Sequence, residues 1–346
     1  MKDRVFIPDY DSHSKMLEEL KIEDTRANAE RLFIRAELYP KDGDVFSDID
    51  TWTFNVDQDI RPEWYVEEVD KARMITAVKE WAKTHIYVGV DNLKLEGGSG
   101  YYIKDCKDIE ICGSASVKYI CDSASVENIC DSASVENIYG SASVENIYGS
   151  ASVKYICDSA SVENIYDSAS VENICGSASV ENIYGSASVK YICDSASVEN
   201  IYGSASVKYI CDSASVENIY GSASVENIYG SASVKYICDS ASVENIYGSA
   251  SVKYICDSAS VKYICGSASV ENIYDSASVE NICGSASVEN ICDSASVEKA
   301  KGYSVIVGSP YGWKNSTKLI LSENATFKDC QAKVIYQSGG WELRSV

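Results

Sequence analysis

From Gly113 to Lys301, apolar and polar positions recur with a fixed period of nine residues. The unit reads [GD]-S-A-S-V-[EK]-[NY]-I-[YC] and is repeated 21 times without insertion or deletion; only the last unit departs, ending Lys299-Ala300-Lys301. We number the nine places from the Gly or Asp. A short fixed period is the signature of a solenoid, in which each unit buries its apolar positions against its neighbours.

Strands joined by turns suit this unit better than a helix does. Two Ser, a β-branched Val and Ile, and a Gly or Asp every nine residues all oppose helix formation. The Ala of the third place and the Val of the fifth lie on one face of a strand. The Ile of the eighth place is three residues beyond the Val, so the chain must bend between them to keep both inside.

The remaining places predict turns and surface. The first place, always Gly or Asp, suits a turn with left-handed backbone. The two Ser and the Glu or Lys of the sixth place are expected to face water. The ninth place accepts Tyr or Cys, which differ greatly in volume, so it is expected to be only partly buried.

The number of residues in one coil of the solenoid depends on how many repeat units form that coil. Two units make an 18-residue coil and three make a 27-residue triangle; we favour two. About ten coils stacked at roughly 4.8 Å then give a rod on the order of 50 Å long. The predicted fold class is mainly β: a parallel β-solenoid with about two nonapeptide units per coil, a small α+β N-terminal capping domain and a degenerate β C-terminal cap.

The N-terminal head, residues 1–92, carries mixed helix and strand patterns. Two helices are predicted first, one capped by Ser12 or Ser14 and reaching Lys21, the other capped by Asp24 or Thr25 and reaching Leu38. Strands are predicted over Asp50–Val56 and Ile86–Val90. Between these strands a helix is predicted to begin at Arg61-Pro62-Glu63-Trp64, and its apolar stripe consists of Val66, Val69, Ala72, Ile75, Val78 and Trp81. Trp52, Trp64 and Trp81 are interpreted as core residues.

The sequences on both sides of the array resemble degenerate copies of the repeat unit. Residues 93–112 are predicted to form the first rungs, with Ile111 and Cys112 at the Ile and Cys places. Residues 302–346 are predicted to be degenerate rungs and a second cap: Asn324 to Cys330 echoes the S-A-S-V-E-N frame, Ala332-Lys333-Val334 echoes it again, and Trp341 closes the end.

The net charge of the chain limits the classes of partner that it is expected to bind. The formal net charge of -22 argues against binding nucleic-acid backbones or anionic membranes, which need basic surfaces. No stretch has the roughly 18 apolar residues of a membrane span, and Met1-Lys2-Asp3-Arg4 leads into acidic sequence without an apolar signal region. A cytoplasmic location is therefore expected.

Most of the 14 Cys fall irregularly at the ninth place, where they interchange with Tyr. That pattern is typical of a partly buried filler rather than of half-cystines. It predicts free thiols in a reducing compartment and a fold that requires no Cys. Stacked Cys on neighbouring rungs would nonetheless lie at a distance that permits a disulfide, so that alternative stays open.

The sixth and seventh places vary together. They hold Glu-Asn or Lys-Tyr, apart from the last unit, and every Lys-Tyr is followed by Ile-Cys. Linked variants indicate that whole blocks were copied, which weakens any assignment of a site to a single repeat residue.

No catalytic, cofactor-binding or metal-binding residue is predicted. His13 and His85 stand outside any metal-ligand spacing, and no CxxC, HExxH, phosphate loop or nucleophile elbow occurs. Gly97-Gly98-Ser99-Gly100 is interpreted as a linker. The calcium-binding roll G-G-x-G-x-D-x-U-x has the same period, but the paired Gly are missing and Asp occurs in only ten units. The mixed charges of the sixth place count against ice binding.

Two stretches of the head, Trp52-Thr53-Phe54-Asn55-Val56-Asp57-Gln58 and Pro62-Glu63-Trp64-Tyr65, joined to the nonapeptide array, resemble uncharacterised short-repeat proteins of phages and prophages. More loosely, the array is similar to pentapeptide-repeat solenoids, whose acidic members mimic duplex DNA. Its period is nine rather than five, and it lacks the A-[DN]-L-x-x pattern. Neither resemblance implies a functional residue here.

The expected function is that of a non-enzymatic rigid scaffold or protein-interaction protein with a repetitive acidic surface, whose partner is another protein. The alternative is an acidic DNA mimic that occupies a DNA-binding protein. A polysaccharide-acting β-helix enzyme would need a defined carboxylate cluster outside the repeats, which the sequence does not offer. Self-association is left open.

Overall fold

The computed structural model describes residues 13–313, 319–330 and 334–337. The described part of the head contains three helices, a short 3-10 helix and a two-stranded antiparallel sheet. These elements are α1 His13–Glu19, α2 Arg26–Ala29, β1 Ala36–Tyr39, the 3-10 helix Ile49–Thr51, β2 Thr53–Val56 and α3 Glu67–His85.

All later strands belong to the solenoid. They are β3 Ile86–Val88, β4 Lys94–Leu95, β5 Ser99–Lys104, β6 Ile109–Ile111, β7 Ser116–Cys121, β8 Ser125–Ile129, β9 Ser134–Ile138, β10 Ser143–Ile147, β11 Ser152–Ile156, β12 Ser161–Ile165, β13 Ser170–Ile174, β14 Ser179–Ile183, β15 Ser188–Ile192, β16 Ser197–Ile201, β17 Ser206–Ile210, β18 Ser215–Ile219, β19 Ser224–Ile228, β20 Ser233–Ile237, β21 Ser242–Ile246, β22 Ser251–Ile255, β23 Ser260–Ile264, β24 Ser269–Ile273, β25 Ser278–Ile282, β26 Ser287–Asp293, β27 Ser296–Ala300, β28 Val305–Trp313, β29 Ile320–Leu321, β30 Thr326–Asp329 and β31 Val334–Gln337.

The strands alternate between two facing sheets. Even-numbered strands from β4 onward, together with β31, form a 15-stranded sheet, and odd-numbered strands from β3 to β29 form a 14-stranded sheet. Each repeat strand pairs in parallel with the strand 18 residues away, as Ser143 does with Ser161. The predicted coil of two units is therefore confirmed. With about 13 turns at 4.8 Å, the solenoid is roughly 60 Å long.

The core consists of the three predicted columns. In every unit the residues of the third, fifth and eighth places are at most 2% exposed, as in Ala196, Val198 and Ile201. The eighth place holds Ile except in the last unit, where it holds Ala300. Val and Ile are both buried although they are three apart, because the strand bends at the sixth place. Along β10, Val144 and Asn146 each pair with the equivalent residue of β12, whereas the Glu between them does not. This bend is the one that the spacing predicted.

Every first-place residue in the array adopts the predicted left-handed backbone. Gly turns have φ between 63° and 70°, and Asp turns between 54° and 58°. An Asp also helps to hold the preceding turn of the solenoid: Asp131 Oδ2 accepts from Gly113 N at 3.0 Å and Asp194 Oδ2 accepts from Gly176 N at 3.1 Å. Asp thus combines tolerance of this backbone with a hydrogen bond between coils.

Several predicted head elements are shorter than expected. Thr25 caps α2 as predicted, yet the helix ends at Ala29 instead of reaching Leu38. Ala36 to Leu38, at the end of that predicted helix, lie instead in β1, which pairs with β2. Asp50 and Thr51 lie in the 3-10 helix, so the predicted strand over Asp50–Val56 begins only at Thr53.

Helix α3 is present, but only part of its predicted stripe is covered. Val78 is buried, whereas Val66 and Val69 are 52% and 44% exposed. The C-terminal half packs on the first turns of the solenoid: the ring of Trp81 meets Tyr102 edge to face, with the ring centroids 6.1 Å apart. Of the three predicted core tryptophans, Trp52 is buried, and Trp64 and Trp81 are half-buried.

The solenoid begins earlier than the predicted boundary at residue 92. The sequence places the predicted strand over Ile86–Val90 in the head, but Ile86 and Tyr87 pair in parallel with Tyr102 and Ile103 of β5. The apolar run after α3 can stack on the next turn, so it joins the 14-stranded sheet. Ile111 lies in the Ile column beside Ile129, as the degenerate unit predicted.

The C-terminal flank continues the frame for two more coils. Ile306 and Phe327 pair with each other in the Val column, and Ala325 is fully buried in the Ala column. Strand β31 then runs antiparallel to β30, so the further rung predicted from Val334 is wrong. Ala332, Lys333 and Trp341 lie outside the described residues, as does Ser12 in the head.

Candidate interaction surfaces

The outer face of the 15-stranded sheet carries an unbroken column of six glutamates. They occupy the sixth place of β8, β10, β12, β14, β16 and β18 and are Glu127, Glu145, Glu163, Glu181, Glu199 and Glu217. We call the outer face of these six strands the acidic face. Successive carboxylates are one turn apart, so the column extends about 24 Å along the rod.

Two further ladders stiffen the acidic face. Each Asn of the seventh place from Asn146 to Asn218 donates its side-chain N–H to the Asn side-chain oxygen one turn earlier, at 3.0 to 3.5 Å. The tyrosines of the ninth place, from Tyr148 to Tyr220, stack with ring centroids 4.9 to 5.1 Å apart and nearly parallel planes. Burial in this stack raises the pKa of Tyr166 and Tyr184.

The outer face of the 14-stranded sheet is different, because lysines interrupt its sixth-place column. Lys118 pairs with Glu136 at 2.9 Å, Lys190 with Glu172 at 3.1 Å, and Lys262 with Glu244 at 3.2 Å. Each pair joins successive turns. The array is therefore two-sided: one sheet presents unbalanced negative charge and the other a largely neutralised surface.

The linked variants of the sixth and seventh places have a chemical basis. In the Glu-Asn units, Asn164 and Asn182 donate to the carboxylates of Glu163 and Glu181. In six of the Lys-Tyr units the ammonium lies over the ring of the following Tyr, 5.2 to 5.6 Å from its centroid, within range of a cation–π interaction. A Glu-Tyr or a Lys-Asn unit would have neither the Asn–Glu hydrogen bond nor the Lys–Tyr cation–π contact.

The link between Tyr at the seventh place and Cys at the ninth also has a steric reason. The two places flank the buried Ile and project from the same side of the chain. Tyr209 packs edge to face on Tyr229, which is the ninth-place residue one turn later, with centroids 6.2 Å apart. A ninth-place Tyr in the same unit would compete for that space, and the smaller Cys does not.

The prediction that all thiols are free is wrong for six cysteines. Disulfides join cysteines on successive turns, with Cα atoms 4.5 to 4.8 Å apart; the pairs are Cys112–Cys130, Cys238–Cys256 and Cys265–Cys283. Among the described residues, the other eight cysteines are free. Burial raises the pKa of Cys175 and Cys193 to about 12, so both thiols are protonated at neutral pH. That the fold requires no Cys stays a prediction.

Shallow grooves run along both outer faces, between the fourth-place Ser column and the sixth-place column. The groove on the acidic face has a volume of about 680 Å³ and extends from Ser125 to Glu217. The groove on the other sheet, of about 1020 Å³, is lined by both Glu and Lys of the sixth place. Both suit an elongated partner better than a compact small molecule.

Among the described side chains, His85 belongs to none of the clusters of possible metal donors. His85 ends α3, where its ring stacks between Trp81 and Tyr101 at 4.9 and 5.5 Å, and its Nδ1 lies 2.9 Å from the carbonyl oxygen of Trp81. It has the structural setting expected for a histidine at a helix end. The side chain of His13 lies outside the described residues.

Comparison with known proteins gives no further guide: no family model, no curated protein and no solved structure matches this chain. The resemblance to short-repeat proteins of phages and prophages therefore stays a prediction. Among the helices that the structure describes, none has the length and apolar character to cross a membrane.

Proposed function

We propose that the protein is a non-enzymatic rigid scaffold whose acidic face binds a basic segment of another protein. The observation that carries the proposal is the unbroken glutamate column from Glu127 to Glu217. At the sixth place of this sheet no lysine occurs before Lys235, which pairs with Glu217 at 2.6 Å. A flat, charged strip of this kind is the complement of an extended cationic chain.

Electrostatics favours such a partner. Like charges one turn apart repel each other by up to about 1 kcal/mol per neighbour in water at low salt. A bound cationic segment relieves that repulsion and gains attraction to the five carboxylates from Glu127 to Glu199, since Glu217 already pairs with Lys235. Because the charges are exposed, the interaction is expected to act mainly on association rate and to weaken as salt screens it.

Rigidity favours the same role. The in-register strands, the asparagine ladder and the stacked tyrosines hold the carboxylates at fixed spacing, so little ordering entropy is lost when a partner binds. The face also repeats, so it can contact a basic segment at several registers. The partner's remaining surface is not specified by these contacts.

Charge reversal on the acidic face tests the proposal. We expect the replacement of Glu145, Glu163, Glu181 and Glu199 by Lys to weaken binding of an octalysine peptide at least about tenfold at low salt. Extended, that peptide spans about 27 Å, close to the length of the column. Fluorescence anisotropy of a labelled peptide gives the affinity. Lys is already used at the sixth place, so the fold is expected to survive.

A matched control changes the same number of charges on the other sheet, with Glu136, Glu172, Glu226 and Glu244 replaced by Lys. We expect this control to weaken peptide binding less than about threefold at the same salt. Equal losses in the two variants would mean that only net charge matters and would contradict a defined face. An enzymatic activity that survives alanine replacement of the array but is lost with one head residue would contradict the non-enzymatic role.

The alternative of a DNA mimic has weaker support. Phosphates follow one another every 3.4 Å of rise on each of two strands, whereas the carboxylates follow every 4.8 Å or so in one column. The second sheet does not supply a matching column, because lysines interrupt its sixth-place column and three of them pair with glutamates. Pull-downs at low and high salt that recover no DNA-binding protein would remove this alternative.

A further inference from the structure

One corner of the solenoid brings two thiols and two carboxylates together on successive turns. Cys193 and Asp194 form the corner between β15 and β16, and Cys211 and Asp212 form the same corner one turn later. The Sγ of Cys193 and one carboxylate oxygen each of Asp194 and Asp212 all lie within 4.8 Å of one another. The Sγ of Cys211 lies 3.5 Å from Asp212 Oδ2.

This combination is rare in the array because it needs Cys-Asp on two stacked corners. The corners before it read Cys157-Asp158 and Cys175-Gly176, so that pair of turns offers one carboxylate. The same four residue types recur at Cys238-Asp239 and Cys256-Asp257, but there the two sulfurs are joined in a disulfide. Cys193 and Cys211 are both free.

We propose that Cys193, Asp194, Cys211 and Asp212 form a binding site for a borderline-soft divalent cation of the Zn²⁺ class. Two sulfur and two oxygen donors make a four-coordinate set that suits Zn²⁺, Cd²⁺ or Co²⁺. Each thiol gives up its proton to solvent as its sulfur binds the cation. The site lies at an edge between the sheets and is separate from the glutamate column.

The geometry requires only local adjustment. Bonds of 2.3 Å to sulfur and about 2.1 Å to oxygen in a tetrahedron place neighbouring donors about 3.6 Å apart. The Cys211–Asp212 pair already has this spacing. The donor atoms of Cys193, Asp194 and Asp212, which lie within 4.8 Å of one another, must approach by about 1 Å, which rotation of the exposed Asp side chains supplies. The Sγ of Cys211 joins them by rotation about its Cα–Cβ bond.

The hydrogen bond of Asp194 shows how the site is held. Its Oδ2 accepts from Gly176 N at 3.1 Å, which orients the carboxylate at the corner, and its other oxygen can turn toward the cation. The Sγ of Cys193 lies 3.8 Å from the carbonyl oxygen of Ile174, and the side chain of Cys211 is 4% exposed. Partly buried thiols oriented by neighbouring groups are the setting in which protein metal sites are held.

Co²⁺ is the probe for the test, because its visible d–d absorption reports tetrahedral coordination and its near-ultraviolet charge-transfer band reports thiolate ligands. The experiment uses the full chain with C112S/C130S/C238S/C256S under a non-thiol reductant; these changes remove the second set of the same four residues and the cluster of Cys112, Cys130 and Asp131. We expect one tightly bound Co²⁺ per chain with both bands, displaced by one equivalent of Zn²⁺, and a raised melting temperature when the metal is present.

The repeat itself supplies matched variants. D194G/D212G places at both corners the residue that the array uses there in 11 of its units, so the fold is retained, and we expect affinity for Co²⁺ to fall at least about a hundredfold. C193S/C211S should abolish the charge-transfer band. D158G, on the neighbouring corner, should change neither affinity nor spectrum.

Three results would overturn the proposal. The first is no tetrahedral spectrum in the C112S/C130S/C238S/C256S chain. The second is a spectrum that persists unchanged in D194G/D212G, which would show that stacked thiols bind the metal without the carboxylates. The third is a loss of Co²⁺ affinity in D158G equal to the loss in D194G/D212G. Circular dichroism of each variant verifies that the solenoid is folded, so every outcome decides between the site and its absence.

Discussion

Replacing Ile201 with Asn is expected to lower the free energy of unfolding by about 3–5 kcal/mol. Ile201 is fully buried between Ile183 and Ile219 of the neighbouring turns. The change removes methyl groups from a packed column and buries an amide with no partner in the apolar interior. In a solenoid each turn contacts only its neighbours, so the damage also separates the turns on either side. Denaturant unfolding followed by far-ultraviolet circular dichroism measures the loss.

The control for this prediction introduces the same side chain on the outside of the same strand. Ser197 is exposed in β16, and Ser197→Asn is expected to change the free energy of unfolding by less than about 1 kcal/mol. If both variants lose similar stability, the eighth-place Ile does not face the interior and the inward columns are wrongly assigned.

Replacing Gly230 with Val is expected to destabilise the solenoid by about 2–4 kcal/mol. Gly230 has φ 70°, and a Cβ added there would lie 2.8 Å from the backbone nitrogen of Asp212 on the preceding turn. A β-branched residue is strained in this backbone region, and its two γ carbons would crowd the same turn. The melting temperature and the denaturation midpoint should both fall.

Gly230→Asp is the matched control, because the array already places Asp in ten equivalent turns. Those turns accommodate a Cβ at a φ near 56°, somewhat smaller than that of the Gly turns. We expect this variant to stay within about 1 kcal/mol of the parent. A similar loss for Val and Asp would show that the turn excludes any side chain at that position, and our account of the Gly/Asp alternation would fail.

The array could be predicted from sequence because its period forces equivalent residues into equivalent places. The buried Ala, Val and Ile columns, the bend before Ile and the left-handed turn all follow from one unit repeated without gaps. The glutamate column also follows from the sequence once alternate units are grouped, since two units form one coil. Its signal was the run of Glu in every second unit from Glu127 to Glu217.

The head was less predictable because its contacts are not local. The sequence predicts a helix that reaches Leu38, but Ala36–Tyr39 becomes a strand by pairing with Thr53–Val56. The apolar stripe of α3 predicted burial along its whole length, yet only the part that reaches Tyr102 is covered. Whether stacked cysteines are joined depends on which side chains stand opposite each other and on oxidation, and Cys–Tyr interchange alone does not reveal it.

The most direct test of the central claim, two units per coil, is the disulfide map of the oxidised full-length protein. Digestion without reduction and mass spectrometry identify the linked peptides. Two units per coil predict cross-links between cysteines 18 residues apart, namely Cys112–Cys130, Cys238–Cys256 and Cys265–Cys283. A coil of three units would instead join cysteines 27 residues apart, such as Cys211–Cys238 and Cys256–Cys283, and recovery of those pairs would contradict the two-sheet solenoid.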